Sequence, residues 1–257
     1  MAGEYVQEDW QQIENLSFVK KITCYDSIDS TNTRAKNQNK FPDNGFHILQ
    51  ADIQTSGRGQ RSNTFLSDMP GGLWVSILCR IEDISFHFKY NRAISLAICD
   101  TLGSYVSPAD CAIKWPNDIL CRHRKICGVL LETSPHIGDG LIIGFGLNIN
   151  NLASQFPPEL SEEVTSLGDE CGENVSRAVV LRKILENFNT NISCGNAVMH
   201  RKYTGLLSGP GKTVEICGQR GVFDSVLEDG RLCLKSGACS VYFSSGPMRI
   251  IKNQAGP

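Results

Sequence analysis

Residues 111–149 read CAIKWPNDILCRHRKICGVLLETSPHIGDGLIIGFGLNI, and this stretch decides the fold. It contains three apolar segments, CAIKW, RKICGVLLE and LIIGFGLNI. The segments between them, PNDILCRH and SPHIGDG, carry turn-forming residues. Short apolar runs bounded by turn residues are typical of buried β-strands. The centre of the chain therefore predicts three neighbouring strands joined by two loops.

Upstream of this stretch the sequence predicts three more strands. They are FVKKITCY (18–25), HILQADIQ (47–54) and GGLWVSILCRI (71–81). A polar turn, DSIDSTN, follows the first of them and precedes a short polar helix, for which Ser30 or Thr31 would be the N-cap.

Two longer helices are predicted from apolar residues at helical spacing. The first covers 91–106, and the second begins near Ser176. Residues 151–175 are rich in Pro, Ser and Glu and have weak periodicity, so they are interpreted as a long connection.

Beyond about Leu206 the chain changes to short strands separated by glycine turns: KTVEICG, GVFDSVLEDG, RLCLKSG, SVYFSS and MRIIK. Five short strands in about fifty residues suggest a small barrel, because closure removes exposed strand edges. We expect two domains, residues 1–205 and residues 206–257. The fold class is α+β, a mixed β-sheet with flanking helices plus a small C-terminal β-barrel.

The charge balance bears on the class of partner. The chain has 257 residues, with 25 Lys and Arg against 27 Asp and Glu, and a net charge of −2. A chain without excess positive charge has no global field to hold a polyanion, so no nucleic-acid partner is expected. No uncharged apolar run approaches the ~20 residues of a membrane helix, so no membrane partner is expected either.

Cysteine usage indicates the compartment. The eleven cysteines are odd in number and contain no CxxC pair, which gives little support to a structural zinc site. The N-terminal MAGEYVQEDW is acidic, unlike a signal peptide. These features predict a reducing compartment, most simply the cytoplasm, with mostly buried, inert thiols.

Two phosphate-binding motifs nearly match and are rejected. SGPGKT (208–213) lacks the first glycine of a P-loop and precedes a strand-like TVEIC, whereas a P-loop opens a helix. Gly57-x-Gly59-x-x-Ser62 lacks the third glycine of a dinucleotide-binding fingerprint. The first segment is interpreted as a Gly-Pro turn that enters a strand.

Two other clusters suggest an anion-binding site. In the loop 55–64, glycines that allow close backbone approach bracket Arg58, and Arg61 follows. In the second cluster, Lys114 and Asp118 flank a turn, and Lys125 begins an apolar strand where a lysine is costly unless paired. We expect these three side chains to converge at the mouth of one hairpin, where they suit a phosphate- or carboxylate-bearing substrate with a metal ion.

The ordered series DSTN (29–32), Gln54 with GRG (57–59), KWPND (114–118), RKICGVLLE (124–132) and GFGLNIN (144–150) resembles biotin–protein ligases, the biotin–[acetyl-CoA-carboxylase] ligase or holocarboxylase synthetase family. The tail from about residue 200 is similar to the SH3-like C-terminal domain of that family. The resemblance implies a biotin/lipoate ligase fold, which is class II synthetase-like. About twenty residues precede the first strand, too few for a winged-helix domain, so the monofunctional type without DNA binding is expected.

The resemblance implies that the chain activates biotin with ATP and Mg²⁺ to biotinyl-5′-AMP and transfers biotin to one lysine of a biotin carboxyl carrier domain. That carrier domain belongs to a biotin-dependent carboxylase. A homodimer is one expected state, because the family includes monomers and dimers.

The resemblance also assigns the site residues. Lys125 and Arg58 are the expected catalytic cations on either side of the reacting centre, and Asp118 is the expected metal residue, through Mg-ATP. The implied biotin-binding residues are Ser30, Thr31, Asn32, Gln54, Gly57, Arg58, Gly59, Gln60, Lys125 and Gly128. The implied ATP-binding residues are Arg58, Arg61, Phe65, Lys114, Asn117, Asp118 and Asn148.

The sequence departs from the family at Gln60, where many relatives carry a basic residue, and at Phe65, where Trp is usual. Trp115 is assigned to the core. Two alternatives remain open at this stage. One is a lipoyl or octanoyl transferase on the same fold, for which Cys127 is a candidate acyl acceptor, and the other is a non-catalytic module that binds biotin or nucleotide.

Overall fold

A computed structural model describes residues 8–83, 85 and 87–251. Its first sheet has seven strands in the order β1-β2-β3-β7-β6-β5-β4, in which β1 and β2 are parallel and all other neighbours antiparallel. The strands are β1 (Val19–Ile28), β2 (Phe46–Gln54), β3 (Leu73–Arg80), β4 (Cys111–Lys114), β5 (Asp118–Cys121), β6 (Arg124–Thr133) and β7 (Gly140–Leu147). The predicted mixed sheet is confirmed.

The interpretation of 116–123 as a simple loop is wrong, because this segment contains β5. Ile119 and Cys121 are fully buried, which explains why so short a run is a strand. Arg122 and His123 then turn the chain into β6 with φ values of 47° and 68°. Two successive positive φ values are typical of a tight hairpin turn that usually contains glycine or asparagine. Because this turn contains neither glycine nor asparagine, the sequence did not indicate the β5–β6 hairpin.

Strand β6 carries one extra residue near its start. Ile119 lies opposite Cys127 and Leu120 opposite Lys125, so Ile126 has no partner across the ladder. Side chains alternate between the two faces of a sheet along a strand, so residues three positions apart normally lie on opposite faces. One extra residue between them brings them to the same face. The bulge therefore places Lys125 on the same face as Gly128. The Lys125 ammonium would lie 3.4 Å from a Cβ built at Gly128.

The helices are α1 (Gln11–Glu14), α2 (Thr31–Lys36), α3 (His87–Leu102), α4 (Leu167–Cys171), α5 (Arg177–Ile192) and α6 (Asn196–Gly205). Ser30 caps α2 through its side chain, as the sequence indicates, and Ser176, near which the second helix was expected to begin, caps α5. Helix α3 begins before and ends earlier than the predicted 91–106. Helices α3 and α5 pack on each other and on the sheet through a continuous apolar core.

The connection 151–175 is not wholly irregular, because it contains α4. Ser166 caps this helix by accepting a hydrogen bond from the Asp169 amide, and Gly172 ends it with a φ of 79°. Five residues are too few for a helical periodicity to show in the sequence. In the described part of the chain, no helix is long and apolar enough to cross a membrane.

The C-terminal strands form a second, antiparallel sheet in the order β11-β10-β9-β8-β12. They are β8 (Thr213–Ile216), β9 (Gln219–Val226), β10 (Leu232–Ser236), β11 (Cys239–Phe243) and β12 (Met248–Ile250). All five were predicted, and SGPGKT enters β8 as expected of a turn. Among the described residues β11 and β12 do not pair with each other, so the sheet is barrel-like without a closed ladder.

The division into residues 1–205 and 206–257 stays a prediction, and residues 1–7 and 252–257 at its ends lie outside the described part. The two sheets share one core. Trp115, which is 1% exposed, donates its indole N–H to the Gly230 carbonyl at 2.9 Å, in the turn between β9 and β10. The assignment of Trp115 to the core is confirmed.

This hydrogen bond predicts unequal costs for two buried tryptophans. Trp74 is also fully buried, but its indole N–H has no hydrogen-bond partner among the described residues. Trp115→Phe leaves the buried Gly230 carbonyl unpaired, whereas Trp74→Phe breaks no hydrogen bond. We expect Trp115→Phe to lower the free energy of unfolding by about 1–3 kcal/mol more than Trp74→Phe does. Urea denaturation of both variants measures the difference, and equal losses would contradict the proposed link between the sheets.

Candidate active site

A cavity of about 740 Å³ lies over the face of the mixed sheet that carries Gly128. The first turn of α2, the loop after β2, the β4–β5 turn and residues 246–248 of the C-terminal sheet line it. The structure brings most of the predicted site residues together there. They are Ser30, Thr31, Asn32, Gln54, Arg58, Gly59, Gln60, Arg61, Phe65, Lys114, Asn117, Asp118, Lys125 and Gly128.

The end of the cavity beside α2 is a network of buried uncharged groups. The Thr31 amide and hydroxyl both donate to Gln54 Oε1, at 2.8 and 3.1 Å. The Gln54 amide donates to Ser67 Oγ at 3.1 Å, and Ser76 Oγ donates to Thr31 Oγ1 at 2.7 Å. Because each side chain is fixed by a neighbour, this end is a preorganised surface for a polar, uncharged group.

Asn32 lies at the same end, but its side chain is committed to the protein. Its amide donates to Glu132 Oε2 at 3.0 Å and to the Leu130 carbonyl at 3.4 Å, and its Oδ1 lies close to Ser76 Oγ, whose single hydrogen it shares with Thr31 Oγ1. Asn32 therefore shapes the wall rather than offering a free donor.

Glycines on β6 and β7 form the floor, and Phe65 lies on them. A Cβ at Gly128 would lie 2.9 Å from the Phe65 ring, and one at Gly146 would overlap it. The ring also packs edge-to-face against Trp74, with centroids 5.8 Å apart, and the Lys125 ammonium is 5.7 Å from its centroid. Phe65 thus reaches the sheet only because these positions carry no side chain.

Each of the two expected catalytic cations is paired with a carboxylate. Lys125 Nζ lies 2.7 Å from Asp118 Oδ1. Arg58 Nη2 and Nη1 lie 3.1 and 3.3 Å from the two oxygens of Glu132. The expected convergence of Lys114, Asp118 and Lys125 is borne out, because all three line the cavity and Lys114 is the cross-strand partner of Asp118. Arg58 and Lys125, however, are bound to different carboxylates.

The chain alone offers little to a metal ion here. Within 8–83, 85 and 87–251, no three His, Cys, Asp or Glu side chains are grouped to hold one. Asp118 is occupied by Lys125, so a resident metal does not fit these residues. Asp118 as a magnesium ligand stays a prediction that depends on phosphate oxygens for the other ligands.

Asn148 and Gly57 lie outside this cavity. Asn148 lines a second, adjoining cavity of about 1340 Å³, which also contacts Phe65 and Lys125. Its amide donates to the Thr165 carbonyl at 3.0 Å, while its buried Oδ1 has no partner in the described part of the chain. Gly57 is buried at the base of the loop, where a Cβ would overlap Ser67 Oγ.

The connection 151–175, whose role the sequence left open, braces the site. The Lys125 amide donates to the Glu163 carbonyl at 2.7 Å, and the Thr165 amide donates to the Lys125 carbonyl at 2.9 Å. The same segment holds Asn148, whose carbonyl accepts from the Leu167 amide at 3.0 Å. Lys125 and Asn148 are therefore fixed by one backbone segment.

Arg61 connects the loop to the C-terminal sheet. Its guanidinium donates to Ser245 Oγ at 3.1 Å and contacts Cys217 Sγ at 3.8 Å, with a backbone φ of 55°. Asn117 also binds protein, because its amide donates to the Val129 carbonyl at 2.6 Å.

Residues 24–150 match the model of the Biotin/lipoate A/B protein ligase family. The match covers 127 of the 257 residues, just under half of the chain. The sequence motifs that resemble it, from DSTN to GFGLNIN, all lie within the matched range.

Named relatives of this ligase family extend the comparison. The chain is 35% identical over 141 residues to the bifunctional ligase/repressor BirA of Bacillus spizizenii. The alignment covers 54% of this chain and 43% of that relative. The match thus spans less than half of the relative's length. This chain is also 28% identical over 211 residues to the biotin–[acetyl-CoA-carboxylase] ligase of Mycobacterium tuberculosis. That alignment covers 77% of each protein.

A solved structure carries the same fold. The biotin protein ligase of Aquifex aeolicus in complex with biotin and ATP superposes with a TM-score of 0.76 at 25% identity, over 90% of this chain and 100% of that one. The mixed sheet with flanking helices is the biotin protein ligase fold.

Sequence reasoning missed several side chains that organise this ligase-family site. Ser67 and Ser76 orient the polar end, and Glu132 pairs with Arg58. A signal existed only for Glu132, a charge at the end of the apolar segment RKICGVLLE.

Proposed function

We propose that this chain is an ATP-dependent biotin–protein ligase, which forms biotinyl-5′-AMP and transfers biotin to a lysine of a biotin carboxyl carrier domain. One observation carries the proposal. A single cavity joins an uncharged hydrogen-bonding end at α2 to a charged end at Lys125 and Asp118, over a floor of glycines. The names of the Mycobacterium tuberculosis relative and of the Aquifex aeolicus structure support the same substrates.

Biotin lies in this cavity with its ureido head at Ser30, Thr31 and Gln54 and its carboxylate towards Lys125. A buried urea needs fixed donors and acceptors, and a site that supplies them rejects analogues that lack those groups. The Gln54 side chain already accepts two hydrogen bonds and keeps one amide hydrogen for the ligand.

The chemistry requires one anion to approach another. The biotin carboxylate attacks the α-phosphorus of ATP, a mixed anhydride forms, and pyrophosphate leaves. Fixed cations neutralise this charge without reorganising. Lys125 is placed for that role by the β6 bulge and the Glu163–Thr165 segment. Arg58 joins it once the guanidinium leaves Glu132.

The nucleotide occupies the adjoining cavity, with magnesium entering as part of the Mg-ATP substrate. Asn148 Oδ1, buried and unpaired in the described chain, is an acceptor for an adenine amino group. Phe65 borders both cavities and supplies an aromatic face for the base. Lys114 lines both cavities and is placed for the phosphates.

The transferase alternative loses its candidate nucleophile. Cys127 is 1% exposed, and burial raises the pKa of its thiol well above the ordinary value. A thiol rather than a thiolate is a poor acyl acceptor.

The remaining assignments are also proposals. All eleven cysteines are free, which supports the cytoplasm as a reducing compartment. The acceptor is the carrier domain of a biotin-dependent carboxylase, as the names of two relatives suggest. We retain the homodimer and the absence of nucleic-acid and membrane partners as expectations.

One experiment tests the function. The protein is incubated with ATP, Mg²⁺, biotin and a biotin carboxyl carrier domain, and the carrier mass and released pyrophosphate are measured. Biotin should be added to the carrier, with pyrophosphate released. Octanoate in place of biotin should give no release. Biotin binding without pyrophosphate would instead favour a non-catalytic module.

Lys125→Ala is expected to keep the fold and lower the rate of adenylate formation by about 10²–10³-fold, by analogy with removing one donor to a developing anion. Pyrophosphate release in single turnover measures the rate. Lys183→Ala is the control. This lysine lies on α5, packs on the Tyr105 ring and is outside the cavity. A wild-type rate in Lys125→Ala would remove Lys125 from the reacting centre.

Gln60→Arg is expected to slow the escape of biotinyl-5′-AMP about fivefold, because a charged hydrogen bond replaces a neutral one in the cavity wall. Its neighbour Arg61 also lines the cavity, but the Arg61 guanidinium donates to Ser245 Oγ. A chase of preformed adenylate with unlabelled biotin measures the escape rate. Gln60→Met, of similar length but uncharged, is the control. An unchanged rate in Gln60→Arg would mean that position 60 does not reach the phosphate.

A further inference from the structure

Glu132, the last residue of the segment RKICGVLLE, was assigned no role from the sequence; it lies beside α2, and four donor atoms contact it. Its Oε1 pairs with Lys36 Nζ at 2.7 Å and with Arg58 Nη2 at 3.1 Å. Its Oε2 accepts from the Asn32 amide at 3.0 Å and from Arg58 Nη1 at 3.3 Å. The carboxylate is mostly buried, at 15% exposure, so it is a fixed anion between α2 and the loop.

This carboxylate keeps Arg58 away from the reacting centre. The Lys125 ammonium lies over Gly128, and Glu132 is four residues further along β6, about 13 Å at about 3.3 Å per residue. While Arg58 Nη1 and Nη2 are both bound to the oxygens of Glu132, they are not available to a carboxylate–phosphate pair at Lys125. Arg58 must therefore leave Glu132 before it acts with Lys125.

The ion pair between Arg58 and Glu132 can open at low cost. The Arg58 side chain is 40% exposed, and half-exposed ion pairs contribute little net stability. Glu132 would not become an unpaired buried charge on its departure, because Lys36 and Asn32 remain bound to it. An arriving anion therefore has to replace only Glu132 as the partner of the Arg58 guanidinium.

We propose that Glu132 is a positioning residue that holds Arg58, and with it the loop 55–64, in a resting position until the anionic groups of the substrates displace it. The proposal rests on the proposed function for the identity of those anions. Lys36 sets the strength of the hold, because it shares the charge of Glu132 with Arg58.

Two substitutions have opposite expected effects on biotin affinity. Glu132→Gln frees Arg58 and should tighten biotin binding about three- to tenfold, the scale of one half-exposed ion pair. Lys36→Met leaves Glu132 to Arg58 alone and should weaken binding about two- to fivefold. Titration calorimetry with biotin measures both. In an Arg58→Ala background, Glu132→Gln should give no tightening, which isolates the pair.

A ligand-free measurement tests the hold without any substrate. Trypsin cleaves after Arg58 and Arg61, and cleavage needs the loop to open. Glu132→Gln should be cut about three- to tenfold faster than wild type without ligand, Lys36→Met should be cut more slowly, and saturating biotin should remove the differences. If Glu132→Gln does not fold, the slower cleavage of Lys36→Met still tests the proposal.

A merely structural role gives a different pattern. If Glu132 only anchors α2, both substitutions break that anchor, and both should weaken biotin binding and speed cleavage. That result, or tightening that persists without Arg58, overturns the proposal. Failure of the proposed function looks different again, because the wild-type protein would then neither bind biotin nor release pyrophosphate.

Discussion

The arrangement of the site depends on one extra residue, Ile126, in strand β6. Without it, alternation would point Lys125 to the opposite face of the sheet from Gly128. The bulged backbone is held from outside, because the segment after 160 hydrogen-bonds both the amide and the carbonyl of Lys125. The sheet and the connection thus fix one ammonium group over the cavity floor, and the hairpin partner Asp118 fixes its other side.

Charge compensation sets the second constraint. Cations in a partly closed cavity destabilise the protein unless they are paired. Here each cation is balanced by a carboxylate of the chain, Asp118 for Lys125 and Glu132 for Arg58. An anion that binds Lys125 or Arg58 must then compete with the carboxylate already paired to it. The loop position follows from which anion Arg58 contacts.

Sequence reasoning found what depends on local pattern and missed what depends on distant contacts. Most strands, the Ser30 cap, the helix that begins near Ser176 and the shared location of most site residues follow from periodicity, capping and ordered motifs. The strand β5 was missed because a tight turn at Arg122 and His123 contains no glycine. Glu132 ends one of the ordered motifs, but its role was missed because Arg58 and Lys36 are 74 and 96 residues away in sequence.

The C-terminal sheet is part of the site rather than an appendage to it. Residues 246–248 line the cavity, Arg61 reaches Ser245 from the loop, and Trp115 binds Gly230 from the hairpin that carries Asp118. These contacts connect the loop and the hairpin to the same small sheet. A displacement of that sheet would therefore move both the loop that carries Arg58 and the turn before Asp118. It follows that residues 24–150, which carry the family motifs, lack part of the wall when taken alone.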